Sequence, residues 1–105
     1  MENRIIKLIE LLESSPKDLF LNHALALEYI KIGEEQKAKS YFETNLNTDE
    51  NYVATYYHYA KLLERLQLKS EALEMYEKGM QIAQKIADRH SYNELQAAFE
   101  DLSDE

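Results

Sequence analysis

Residues 87–96 read ADRHSYNELQ and place Asp88, Arg89, His90, Ser91, Tyr92 and Glu94 close together. A serine beside a histidine and carboxylates is raw material for nucleophilic catalysis. That chemistry needs a base aimed at the hydroxyl and a third group orienting the base. Adjacent residues of one loop rarely supply such geometry. The same stretch also spells a helix start, because Ser91 followed by Glu94 is a capping box in which each side chain satisfies a free backbone donor. Leu95, Ala98, Phe99 and Leu102 then recur at spacings of three and four, one apolar helix face. The expectation is therefore a loop followed by a helix over 91–103, with no catalytic residue in it.

Other chemistry finds little support. The histidines are His23, His58 and His90, and no two stand four residues apart, so the spacing of a helical metal site is missing. The absence of cysteine removes thiolate ligands, thiol nucleophiles and disulfides. Two glycines, Gly33 and Gly79, cannot build a glycine-rich phosphate loop. The sequence therefore implies no enzyme, no metal and no cofactor.

The elements that would position any site are helices. With two glycines and one proline in 105 residues, the chain lacks the turn residues that a many-stranded fold requires. Its longest run free of Asp, Glu, Lys and Arg, Asn51 to Ala60, is half of what a membrane-spanning helix needs. A cytoplasmic protein without a membrane partner is the default expectation. The net charge of −8 argues against a basic nucleic-acid surface, so no nucleic-acid partner is expected either. The acid is concentrated at the end, where residues 87–105 hold six acidic side chains and one arginine.

Two segments superpose with a shift of 34 residues: LALEYIKIGEEQKAKSYFETNL (25–46) and YAKLLERLQLKSEALEMYEKGM (59–80). Leu25 meets Tyr59, Ala26 meets Ala60, Tyr29 meets Leu63, Ala38 meets Ala72, Phe42 meets Tyr76 and Leu46 meets Met80. The spacings define two helices per unit with a turn between them. Gly33 suits that turn because it can end a helix in the left-handed conformation. Gln67 stands in its place in the second unit, so a differently built turn is expected there, with Ser70 as N-cap of the following helix.

A 34-residue helix–turn–helix unit, small at positions 8 and 20 and large at 7, 11 and 24, resembles the tetratricopeptide repeat family. Counted from Leu19 and Val53 as position 1, the resemblance covers 19–52 and 53–86. Carried backwards, it places Leu8, Leu12 and Pro16 at positions 24, 28 and 32. Residues 2–14 then look like the second helix of a truncated repeat, with Ser15 as N-cap before Pro16 and Asp49 in the corresponding place. Tyr56 and Gly79 match the family at positions 4 and 27, whereas Asn22, Asn45 and Leu11 depart from it. The implied fold is all-α, a right-handed helical-hairpin solenoid of about six helices in a single domain, closed by a modified cap helix.

In this family positions 2, 5, 9 and 12 of successive first helices line a concave groove. Here they select Phe20, His23, Leu27 and Ile30 from the first unit, and Ala54, Tyr57, Lys61 and Glu64 from the second. His58, at position 6, joins Lys61 and His23 as the rim of an apolar strip of Phe20, Leu27 and Tyr57. The segment FLNHALALEYIKI is apolar almost all round. Burial beneath the N-terminal helix is one explanation, and an exposed interaction strip is the other. One family subset clamps a terminal carboxylate with Lys and Asn at positions 5, 9 and 6. His23, Leu27 and His58 occupy those places, so that specificity is not expected. The resemblance implies a non-enzymatic scaffold binding a peptide or protein partner; a homodimer through the same strip is the alternative.

Overall fold

The computed structural model describes residues 2–105, with side chains from Arg4 onward. Among the described residues the elements are α1 (Glu2–Ser14), α2 (Leu19–Lys31), α3 (Glu35–Thr48), α4 (Ala54–Arg65), α5 (Lys69–Lys85) and α6 (Arg89–Ser103). All six are helices. None is long and apolar enough to cross a membrane. The chain divides into two compact units, one ending at Tyr52 and the other beginning at Val53.

In the first unit α2 and α3 form a hairpin and α1 packs on α2. Leu25, Ala26 and Tyr29 are buried in this unit together with Ala38 and Phe42, while α1 contributes Ile5 and Leu8. In the second unit α4 and α5 form the hairpin and α6 packs on α5. Tyr56, Tyr59, Ala60 and Leu63 are buried there with Ala72, Tyr76, Leu95 and Leu102. The 34-residue step holds residue by residue. Ala26 and Ala60, Ala38 and Ala72, and Phe42 and Tyr76 are each completely removed from solvent. The alanines are small for a reason: antiparallel helices approach closely only where no bulky side chain intervenes.

Three helices end in the same way. Gly33, Gln67 and Ala87 adopt φ of 80°, 64° and 61°. Their amides donate to Ile30, Glu64 and Gln84, while the next amides, of Glu34, Leu68 and Asp88, donate to Tyr29, Leu63 and Ala83. This is the Schellman pair of bonds. The turn at Gln67 is thus built like the turn at Gly33, contrary to the expectation from its side chain. Tertiary closure of the hairpin outweighs the local preference, and a Cβ in this region costs roughly 1–2 kcal/mol. Glycine would remove that strain but loosen the unfolded chain by about 0.4–1 kcal/mol. Replacing Gln67 and Ala87 together by glycine is expected to add about 1 kcal/mol and raise the melting midpoint by roughly 5 °C. Thermal unfolding checks this, and a lowered midpoint would contradict it.

The same turns explain why two expected caps, Ser70 and Ser91, are misplaced. The residue closing each Schellman pair is also the N-cap of the next helix: Glu34, Leu68 and Asp88. Ser70 is therefore already inside α5, and Leu68 caps it without a side-chain bond. Likewise α6 begins at Arg89 rather than 91. Asp88 is its cap, accepting from the Ser91 amide at 3.0 Å and the Ser91 hydroxyl at 2.7 Å. Before α2, Ser15 opens a turn in which the Asp18 amide donates to the Ser15 carbonyl, and Asp18 is the N-cap, bonded to the Leu21 amide at 2.8 Å. Pro16 sits in that turn rather than in the helix, where its fixed φ suits the second turn position. Asp49 orders a turn too, accepting from Asn51, while α4 starts only at Ala54.

Two departures from the family pattern also find reasons here. The Asn22 side-chain amide donates to the carbonyls of Pro16 and Asp18, tying the turn to α2. The Asn45 amide donates to the Leu19 carbonyl across the hairpin at 2.9 Å. Both side chains are buried, where such bonds offset the cost of desolvating an amide.

Candidate functional site

Each unit presents its part of the expected strip on its first helix. In the first unit, Phe20, His23, Leu27 and Ile30 share one side of α2 at spacings of three, four and three. Phe20 is 64% exposed. Leu27 and Ile30 are half-buried. His23 is less available than its position suggests, because its ring stands edge-on to Phe42 at 5.9 Å and to Tyr52 at 6.0 Å.

A different side of α2 explains why the helix is apolar almost all round. There α1 packs against it, and the buried Glu28 carboxylate accepts from Lys31 Nζ at 3.1 Å and Arg4 Nε at 3.0 Å. The Lys31 hydrogen bond, with that of Arg4, holds this carboxyl below its ordinary value against the opposing effect of burial. The N-terminal helix thus accounts for one side of α2 and leaves the Phe20 side open.

In the second unit α4 brings Tyr57, His58 and Lys61 together. Lys61 Nζ lies 5.5 Å from the centre of the Tyr57 ring, a cation–π contact, and 3.8 Å from Glu64 Oε2. The same carboxylate oxygen accepts from the Tyr76 hydroxyl. Burial, and then Glu64, push the Tyr76 phenol far above its ordinary value, so it remains a donor at any physiological pH. His58 stands edge-on to Tyr57 at 5.5 Å. Together with Val53, Ala54, Ser91, Glu94 and Leu95 these two rings line a cavity of about 100 Å³ between α4 and α6. Burial depresses the His58 imidazole pKa, and the Glu94 carboxylate opposes that shift.

Ser91 spends its hydroxyl on Asp88 in the helix cap, and His90 is exposed beside it. Among the described residues no group of three or more His, Asp or Glu could hold a metal ion. Glu64 was already selected at groove position 12, whereas Glu28 went unnamed in the sequence and Glu94 was given only a capping role. The Glu28–Lys31 spacing of three was readable as a helical pair, whereas Arg4 reaches Glu28 only through the packing of α1. Glu94 enters the His58 cavity through the register of α6.

No family model and no curated protein matches the chain. Solved structures do. A tetratricopeptide repeat domain protein from Salinibacter ruber, solved by NMR in solution, is 36% identical with a TM-score of 0.80. The match covers 84% of this chain and 89% of that one. The chain belongs to the tetratricopeptide repeat family. Two more distant members of the fold are the TPR2B domain of yeast Sti1, in complex with pHsp70, and protein BPP2914 from Bordetella parapertussis. The Sti1 domain has a TM-score of 0.90 at 17% identity, covering 98% of this chain and 82% of its own. BPP2914 has a TM-score of 0.81 at 21% identity, covering 94% and 86%. In this tetratricopeptide repeat protein α2 and α4 are first helices, α3 and α5 their second helices, and α1 and α6 stand without a hairpin partner.

Proposed function

We propose that this tetratricopeptide repeat protein is a non-enzymatic interaction module that takes a peptide or partner protein on the open faces of its first helices. The observation that carries this reading is the exposed Phe20, in line with half-open Leu27 and Ile30, on a helix already holding its hairpin partner. Tyr57 and Lys61 continue the pattern on α4. The yeast Sti1 domain of the same fold, held in complex with pHsp70, supports a binding role.

The recognition chemistry is mainly apolar. Lys61 is engaged by Glu64 and stacked on Tyr57, and the chain carries a net charge of −8, so an acidic peptide would meet little free positive charge. A face of this size supports micromolar affinity, roughly −8 kcal/mol. Replacing Leu27 and Tyr57 together by serine is expected to abolish partner capture from native cell extract while circular dichroism shows an intact helical fold. Equal recovery of the partner by this variant and by the wild type would defeat the proposal. Sedimentation of the same variant separates a foreign partner from self-association through these faces.

A further inference from the structure

The small cavity between α4 and α6 offers an ammonium group acceptors and offers an anion little. Its apolar walls are Val53, Ala54, Leu95 and the Tyr57 ring, and its polar groups are His58, Ser91 and Glu94. All of them belong to the second unit. Glu94 is exposed, and an ionised carboxylate can only accept. Ser91 donates its hydroxyl hydrogen to Asp88 Oδ2 at 2.7 Å, which leaves its oxygen to accept. The backbone and side-chain bonds from Ser91 hold the Asp88 carboxyl below its ordinary value, so a second negative charge stands behind that oxygen. Burial lowers the His58 pKa against the opposing Glu94, so the imidazole adds no positive charge at neutral pH.

The other charged side chains of these two helices do not line the cavity. On α4 they are Lys61, Glu64 and Arg65; on α6 they are Arg89, Glu100 and Asp101, with His90 beside Arg89. Lys61 is committed elsewhere, 3.8 Å from Glu64 and 5.5 Å from the centre of the Tyr57 ring. Arg65 lies about two turns beyond His58. Arg89 and His90 open α6 on the same turn as the Asp88 cap, whose charge also offsets the positive helix end. The helix packed on both, α5, holds three acidic and three basic side chains, none of them at the cavity, and so favours neither sign.

Lys61 is also a precedent, because it already seats an alkyl ammonium between a tyrosine ring and a carboxylate on this face. The cavity repeats that set with Tyr57 and Glu94. Its apolar walls suit a methylene stem whose charged head stays at the exposed carboxylate. A planar guanidinium carries five donors in a fixed fork. One rim carboxylate and one hydroxyl oxygen, around about 100 Å³, match the compact lysine head better.

We propose that this cavity seats a lysine side chain of the partner, its stem against Tyr57 and Leu95 and its ammonium on Glu94 and Ser91. The lysine pocket rests on the reading that a partner binds the first-helix faces. It makes the docking segment basic as well as apolar, which complements a chain of net charge −8.

n-Butylammonium chloride, the lysine side chain without its backbone, tests the pocket on the isotope-labelled full chain. At matched ionic strength the amides of Tyr57, His58, Ser91 and Leu95 are expected to shift and to saturate at millimolar concentration. n-Butanol, with the same stem and no charge, is expected to bind at least about fivefold more weakly. Glu94→Gln, with folding confirmed by circular dichroism, is expected to lose about the same factor for the ammonium and nothing for the alcohol. Alcohol binding as tight as that of the ammonium, or Glu94→Gln binding like the wild type, would overturn the inference. Tighter binding of n-propylguanidinium would overturn the assignment to lysine. No saturable shift at these residues, with partner capture still lost in the Leu27 and Tyr57 variant, would sink the lysine pocket and leave the docking reading standing. Saturable n-butylammonium binding with capture unaffected in that variant would sink the docking reading, and the partner lysine with it.

Discussion

Replacing Phe42 by alanine is expected to cost about 3–5 kcal/mol. Phe42 is 0% exposed on α3, in the same hairpin as Leu25 and Ala26, and its ring carries the edge of His23 at 5.9 Å. Truncation removes the transfer free energy of the ring and leaves a cavity that rigid helices fill only in part. Against a typical total of about 5–15 kcal/mol, that loss leaves the first unit marginal. Denaturant titration followed by circular dichroism measures it. The Tyr52 and His23 environments should loosen at the same time, visible as sharpened and shifted aromatic resonances. A loss under about 1 kcal/mol would mean that α2 and α3 do not clamp this ring as described.

Gly79→Ala carries the second large effect and sets two forces against each other. Alanine in a helix interior gains about 1 kcal/mol over glycine in propensity. At this position, however, its Cβ would stand 2.7 Å from Tyr56 Cβ and 3.1 Å from Leu95 Cδ1. The first of these atoms is anchored next to the backbone and cannot swing away, so α4 or α5 must shift. Overpacking of that kind costs typically about 1–3 kcal/mol beyond any gain. A net loss of about 2 kcal/mol is expected, lowering the melting midpoint by roughly 10 °C. The control is Gly33→Ala, where nothing lies within 4 Å of the added Cβ and only the positive φ opposes it. A stabilised Gly79→Ala would show that α4, α5 and α6 do not converge on this glycine.

These two residues also show what could be read in advance. The step from Phe42 to Tyr76, and the small residues at Ala26, Ala38, Ala60 and Ala72, depend only on spacing and size, and spacing is written directly in the chain. The span of α1 and the need for a small residue at Gly79 were legible for the same reason. Helix starts were not, because the Schellman turns make Leu68 and Asp88 the caps whatever side chain stands there. Ser70 and Ser91, good caps by type, fall inside helices whose beginnings are decided by the preceding turn. At the candidate site, Tyr57 and Lys61 were legible as an i, i+4 pair on one face. The roles of the histidines were not. His23 is packed between rings contributed by Phe42 and Tyr52, and His58 lies in a cavity whose far wall depends on the register of α6, which breaks the 34-residue step by two residues.

The central claim is that a partner binds the first-helix faces. Amide and side-chain chemical shifts of the labelled protein, followed as a captured partner is added, test it most directly. The account predicts changes concentrated at Phe20, Leu27, Ile30, Tyr57 and Lys61, smaller ones at His23 and His58, and little on the exposed sides of α3 and α5. Changes confined to α3 and α5, with α2 and α4 silent, would contradict it.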